Sequence, residues 1–338
     1  MNKHHYLLII VGLVILLLLV FMLSLSWGSV RISMGEIYQA LFANSNNSSQ
    51  AIIIKKIRLP RAIGAFAAGA ALAVAGLLLQ VFFRNPIVDS FVLGNASGAS
   101  LLVGLVMLAG FTFGASQLSS TLIFLAAFGG SLLVMLLVMG VAAKVDGVVT
   151  LLIIGLMVGY LCNAFNSFVI ALSQKEQLSG FVMWGMGSLA GITLEQAAMM
   201  ALIIVPFLAI IFLMSKSLNA LLLGDNYARS LGIRTRSVRL LVIIVASLLS
   251  GIVTAVTGPI GFVGLAVPHT ARLILGGSNN RYLIPLTILI GAIVTACCDL
   301  IARTILSPVE LPLTAVTSLF GAPVVIYLLL RRQQQCRY

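Results

Sequence analysis

The sequence predicts an all-α polytopic membrane protein with about ten transmembrane helices. Three observations carry that expectation. Of the 338 residues, 61% are hydrophobic and 8% charged, where soluble domains run at about 45–50% apolar and about 25% charged. The apolar runs repeatedly reach the roughly 20 residues that cross a bilayer as a helix. They are also unbroken, whereas the strands of an outer-membrane barrel alternate. A soluble fold, a disordered chain, a disulfide-stapled domain and a membrane barrel are all excluded.

Taken in order, the spans fall near 6–26, 61–82, 97–113, 121–143, 148–172, 196–214, 238–256, 260–276, 283–303 and 311–330. Lys3 ahead of Tyr6–Met22 imitates a signal peptide. The stretch is too long for a cleaved core and no small-x-small site follows, so it reads as a retained first span. The net charge is +12, but no basic stripe interleaves with aromatics, so nucleic acid is not a partner. The charges lie in short connections and report orientation instead. With the N-terminus inside, all Lys and Arg except Arg31, Lys55, Lys56, Arg58, Arg61, Lys175 and Arg303 are cytoplasmic, thirteen of twenty. Both termini are therefore expected in the cytoplasm. Cys162, Cys297, Cys298 and Cys336 have no framework or metal-ligand spacing.

The second span carries Gly64, Ala68, Gly69, Ala71, Ala73 and Ala75, small residues that let helices approach closely. Two stretches are poor lipid-facing helix. Residues 84–100 (RNPIVDSFVLGNASGAS) are polar and Gly-rich, and 258–272 (GPIGFVGLAVPHTAR) is broken by Gly and Pro. Interrupted backbone at membrane depth survives where protein buries it or where it lines a cavity. Asn95, Ser97, Gly258, Pro259 and Gly261 are accordingly candidates for a translocation route. Asn163, Asn166 and Ser167 of span five are further candidates, with the two amides expected on one face at i, i+3. Interhelical hydrogen bonding is the competing use of those amides.

The connection Ser215–Arg239 is the longest one inside and reads as two short helices. Gly224 is expected to stop the first, and Asp225 to cap a second over Asn226–Leu231 that ends at Gly232. That helix would present Tyr227, Ala228 and Leu231, to a lipid surface or to a cytoplasmic partner.

Several segments together resemble the permease subunits of the iron-chelate and cobalamin ABC importers, the type II importer family. They are RLPRAIGAFAAGAALAVAGLLLQ (58–80), residues 84–100, LGDNYARSLGI (223–233), residues 258–272, LIARTILSPVELPLTAV (300–316) and GAPVVIYLLL (321–330). They run in the family's order across essentially the whole chain. The resemblance implies a single permease domain over 1–338 in the cytoplasmic (inner) membrane of a prokaryote. It implies pairing with a second copy or paralogue around a central route, two ATP-binding subunits below, and an extracytoplasmic binding protein above. Arg58, Arg61 and Arg303 resemble the arginines that receive acids of the binding protein. Leu223, Gly224, Asp225, Tyr227, Ala228, Arg229, Leu231 and Gly232, within the segment at about 215–239, resemble the element that couples to the ATPase. VMWGMGSLAG (182–191) is similar to a short extra helix after span five.

The residues themselves agree on one absence. The chain has no Gly-Lys dipeptide, hence no Walker A loop; it is not expected to be an enzyme or to hold a cofactor, and ATP-Mg belongs to the partner subunits. An ion-coupled transporter would place relay acids at mid-membrane, but Asp299 alone lies inside a span. It stands one turn before Arg303, so an internal ion pair accounts for it. A membrane enzyme finds no HExxH, paired-aspartate or Ser–His arrangement. A route for naked transition metals would need clustered Asp, Glu, His or Cys, so the cargo is expected to be already chelated. An iron chelate of siderophore or haem class comes first, with cobalamin or an oxyanion such as molybdate as alternatives.

Overall fold

The computed structural model describes residues 3–28, 30–42, 48–89, 91, 94–109, 120–142 and 148–335. Among them there is no strand, and each expected span contains a helix, seven of them of spanning length and three shorter; residues 110–113 of the third expected span, and Cys336, lie outside the described residues. The first is α1 (Lys3–Ser26), followed by two short helices the hydropathy map passed over, α2 (Met34–Phe42) and α3 (Ser49–Ile53). A signal for α2 was present as S-x-x-E. The Ser33 amide and hydroxyl both donate to Glu36 Oε2 at 2.8 Å, and the Glu36 amide donates back to Ser33 Oγ, a capping box. These bonds, the backbone one foremost, hold the Glu36 carboxyl below its usual range.

A π-helical turn, Ile54–Arg58, joins α3 to α4 (Leu59–Phe83). It directly precedes Pro60, whose ring and missing N–H disturb a regular helix, and π turns absorb such irregularities. Next come α5 (Asn95–Gly104), extended by a second π turn Leu105–Ala109, then α6 (Ser120–Ala142) and α7 (Val148–Ala171). The short helix expected over 182–191 is α8 (Lys175–Gly185); it starts earlier, and Gly187 leaves the helix with φ +68°. It precedes α9 (Leu194–Leu213), α10 (Ser215–Leu223), α11 (Asp225–Ser230) and α12 (Thr235–Thr257). The last three are α13 (Val263–Leu275), α14 (Asn280–Thr304) and α15 (Leu313–Gln335).

The helix α4 is the axis of the bundle. Its most apolar window is 83% buried, against 11% for α1, and it packs on α9, α12, α13 and α14. Its small residues explain this. A Cβ on Gly69 would lie 2.2 Å from the Gly291 carbonyl oxygen, and one on Gly76 would lie 1.9 Å from that of Gly264. Gly98 and Gly130 bring α5 and α6 together in the same way, at 2.5 and 2.1 Å. At each crossing backbone meets backbone, the geometry that small residues permit in lipid.

The bundle has two distinguishable ends. At one, the Tyr6 hydroxyl of α1 donates to the Tyr282 carbonyl of α14 at 3.3 Å. There Asn219 of α10 also meets Asn279 and Asn280 through amide hydrogen bonds of 2.8–2.9 Å. The start of the chain thus shares a face with the α10–α11 segment. At the other end lie the C-terminus of α1, the N-terminus of α4 and the C-terminus of α14.

Candidate functional sites at the two ends of the bundle

The three arginines expected as an outer docking surface are buried, with relative exposures of 3% for Arg58, 5% for Arg61 and 8% for Arg303. Two acids, Asp299 and Glu310, lie among them. Arg61 Nε donates to both oxygens of Asp299 at 2.9 and 3.0 Å, and Arg61 Nη1 donates to both oxygens of Glu310 at 2.8 and 3.0 Å. Asp299 was expected to pair within its helix with Arg303. That ion pair is present at 3.9 Å, too long to be a hydrogen bond as well; Arg303 Nη2 donates to the carbonyl and hydroxyl of Ser24 at 2.6 and 2.9 Å, and the hydrogen bonds to Asp299 come from Arg61. The reason is electrostatic. A carboxylate buried inside a bundle requires a partner that also fills its lone pairs, and the Arg61 Nε–H arrives from α4 shared between both oxygens of Asp299.

Arg58 has a different task. Its Nη1 donates to the carbonyls of Leu25 and Ser26 at 2.6 and 2.9 Å, and its Nη2 to that of Val30. A cation on the last carbonyls of a helix satisfies orphan acceptors and the dipole together. Arg58 therefore closes α1, and of the docking candidates Arg61 is the one paired with an acid that also reaches solvent. That group is Glu310, whose side chain is 42% exposed.

At the opposite end, α11 departs from its expected form in two ways. Gly224 (φ +121°) is the residue before the helix, and Asp225 is its first residue, with no side-chain cap bond. The Asp225 carboxylate instead pairs with Arg84, which ends α4, and with Arg239 of α12 at 2.9 Å. Arg84 Nε also donates to the Leu221 carbonyl at 3.1 Å, and the Arg239 guanidinium lies 5.5 Å over the Phe82 ring. Ala228, expected on the presented face, is fully buried. The helix then closes by two backbone bonds, Gly232 N to Arg229 O and Ile233 N to Ala228 O, a Schellman ending that uses the left-handed Gly232. Leu223, Tyr227 and Leu231 remain outside at 68%, 49% and 58% exposure, with exposed Arg229 beside them. The segment is a clamped, two-helix platform with a small apolar patch. Neither Arg84 nor Arg239 was picked out by sequence, because their partner lies 141 or 14 residues away.

The route candidates separate. Asn163 and Ser167 are exposed on α7, but Asn166 is buried, its Oδ1 against Gly104, so the two neighbouring amides fall on opposite sides of a burial boundary. Three positions along a helix are about 300° apart in rotation, enough to divide them at this boundary. Asn95 is 2% exposed and donates to Ser250 Oγ at 3.3 Å, which is the interhelical use. Ser97 is half-buried against Gly159. Gly258 (φ +71°) fits beneath the Trp184 carbonyl, Pro259 O accepts from the Thr314 hydroxyl at 2.7 Å, and half-buried Gly261 lies against Thr314. The broken backbone at 258–261 is packed between α8 and α15.

These ends, one a buried carboxylate–arginine junction and one a clamped platform, sit on a helical chain that matches a family along nearly all its length. The profile of the FecCD transport family matches residues 16–331. The chain belongs to the FecCD transport family. It is 34% identical over 319 residues to the hemin transport system permease protein HmuU of Yersinia pestis, covering 94% of this chain and 95% of that one. It is 38% identical over 304 residues to the vitamin B12 import system permease protein BtuC of Vibrio cholerae, covering 90% of each. A solved structure described as an inward-facing conformation of an ABC transporter of metal-chelate type superposes with TM-score 0.85 at 30% identity, over 96% of this chain and 99% of that one.

As a FecCD permease, the chain is a multi-pass inner-membrane subunit of a bacterial ABC importer, and not itself the ATPase. FecCD membership brings a dimer, ATP-binding subunits and a substrate-binding protein with it. Glu310, within the PVELP run of 308–312, is the functional candidate that sequence reasoning quoted but did not assign.

Proposed function

We propose that this permease carries an iron chelate, of siderophore or haem class, from an extracytoplasmic binding protein to the cytoplasm. Near full-length similarity to a hemin permease and to vitamin B12 permeases carries this reading: both cargoes are metals already enclosed by an organic macrocycle. The exposed polar side chains of α7, Asn163 and Ser167, stand on an otherwise apolar span and favour a wet route at a permease–permease interface over a lipid-facing one. The deciding experiment is retention of labelled compounds by the cognate binding protein, followed by uptake into proteoliposomes holding the full transporter. Retention and uptake of an iron chelate is the expected result; cobalamin or molybdate taken up in its place selects the alternative cargo.

In the same reading both termini face the cytoplasm, as the shared face of Tyr6 and α10 supports. In a cysteine-free background, Ser48→Cys is expected to react with an impermeant thiol reagent in intact cells, and Ser230→Cys only after permeabilisation. Both positions are exposed. Reaction of Ser230→Cys in intact cells inverts the topology.

The platform Leu223–Gly232 docks the ATPase through Leu223, Tyr227, Arg229 and Leu231, while Gly224, Asp225, Ala228 and Gly232 hold its shape. Ala228→Trp is therefore expected to unsettle the segment itself, since no space surrounds that methyl. The pair Tyr227→Ala and Leu231→Ser tests docking directly. Co-purification of the ATPase subunit is expected to drop by about tenfold or more, as for central apolar anchors, with permease yield and thermal stability unchanged. Full retention of the ATPase by that double variant assigns the patch to the lipid surface.

A further inference from the structure

Arg61 divides its guanidinium between two carboxylates of unequal standing. Asp299 is 2% exposed by side chain and belongs to α14, whereas Glu310 is 42% exposed and lies in the connection between α14 and α15. The junction is also short of negative charge. Among the described residues Arg61 and Arg303 pair with Asp299 and Glu310, Arg58 beside them is spent on the carbonyls that end α1, and Arg303 Nε is buried without a hydrogen-bond partner. Exposed Lys56 follows from the preceding turn. A cluster with an excess of cation, one unfilled N–H and one solvent-reaching acid is built to accept a further carboxylate.

We infer that Glu310 is an internal occupant of the docking position: it holds Arg61 Nη1 in the free permease and yields it to an acidic side chain of the incoming binding protein. This rests on the reading of the chain as an importer permease that docks such a protein. Asp299 stays on Nε throughout, so the guanidinium is already aimed and desolvated when the partner arrives. Release of Glu310 costs little because a pair with one partner in water is worth only a small amount. The exchange also makes docking selective, since a partner without a well-placed acid cannot displace the resident one. The buried arginines and a docking role are then compatible, because the partner meets Arg61 at the edge that Glu310 vacates.

Glu310→Gln removes the competitor while leaving the Arg61–Asp299 pair. In the assembled transporter, the dissociation constant for the cognate binding protein is expected to fall about two- to fivefold, the range an exposed ion pair commands. Glu310→Asp, one methylene shorter, is expected to give a smaller change of the same sign. Glu195→Gln serves as the charge control, because Glu195 is exposed in the first turn of α9 and changes net charge equally without touching Arg61; its binding is expected to match wild type. Unchanged or weaker binding by Glu310→Gln at wild-type thermal stability overturns the exchange, as does equal tightening by Glu195→Gln. A wild-type transporter that binds no extracytoplasmic protein at all overturns the importer reading and the exchange together.

Discussion

Replacing Asp299 with Ala is expected to lower the stability of the permease by about 3 kcal/mol, because it strands a buried guanidinium. Arg61 has 7% side-chain exposure, and its Nε would lose both bonds to the carboxylate. Glu310 remains on Nη1 and keeps the loss at the lower end of the usual range for a broken buried pair. In detergent, the unfolding midpoint is expected to fall by on the order of 10 °C. The companion variant, Arg61→Met with Asp299→Leu, is expected to recover most of that loss, since well-packed apolar residues often replace a buried pair at little cost. It would also lose affinity for the binding protein, separating the structural part of the junction from its docking part. Wild-type stability of Asp299→Ala would show that water, and not Arg61, solvates this carboxylate.

The glycine crossings predict a larger effect. Gly76→Leu is expected to leave no folded permease recoverable by size-exclusion chromatography. Its Cβ alone would stand 1.9 Å from the Gly264 carbonyl oxygen and 2.4 Å from the carbonyl carbon, and backbone cannot move aside as a flexible side chain can. One turn further along α4, Gln80 donates to the same carbonyl at 3.2 Å and accepts from Arg272 at 2.6 Å, so separating the helices breaks that chain as well. Gly76→Ala brings the same Cβ and is expected to cost more than the usual overpacking penalty of about 1–3 kcal/mol. Gly12→Ala is the contrast: nothing lies within 4 Å of the position, and removing a helix-interior glycine is expected to stabilise α1 by about 0.5–1 kcal/mol. Equal yields from Gly76→Leu and Gly12→Ala would refute the close crossing.

Hydropathy made seven spans legible at full length because bilayer thickness imposes it; Asn95–Leu108, Val263–Leu275 and Leu313–Ile326 were legible only as shorter apolar runs. The small residues of α4 announced its central place for a similar reason, since only they permit backbone contact. Arg58, Arg61 and Arg303 were legible as cations at one end but not as buried groups. The acids of Arg61, Asp299 and Glu310, lie 238 and 249 residues away in sequence, and no local pattern reveals a pairing over that distance. Ala228 and Asp225 failed for a smaller reason of the same kind. A six-residue helix presents whichever face its neighbours leave uncovered, and those neighbours are Arg84 and Arg239, from the helices on either side. Along α7, the spacing of Asn163 and Asn166 fixed their angular relation but not where the boundary of burial would fall between them.

The amide junction of Asn219 with Asn279 and Asn280 has a mechanical consequence. It fastens α10 to the first turn of α14, and the last turns of that same helix bear Asp299 and Arg303. A 25-residue helix is a strut about 37 Å long, stiff along its axis because each turn is tied to the next. Pro285 removes one of those ties near the platform, so bending concentrates there and the segment from Leu286 to Thr304 tilts as one piece. A displacement of α10 is therefore expected to reach, through α14, the Asp299 carboxylate that holds Arg61 at the other end of the bundle.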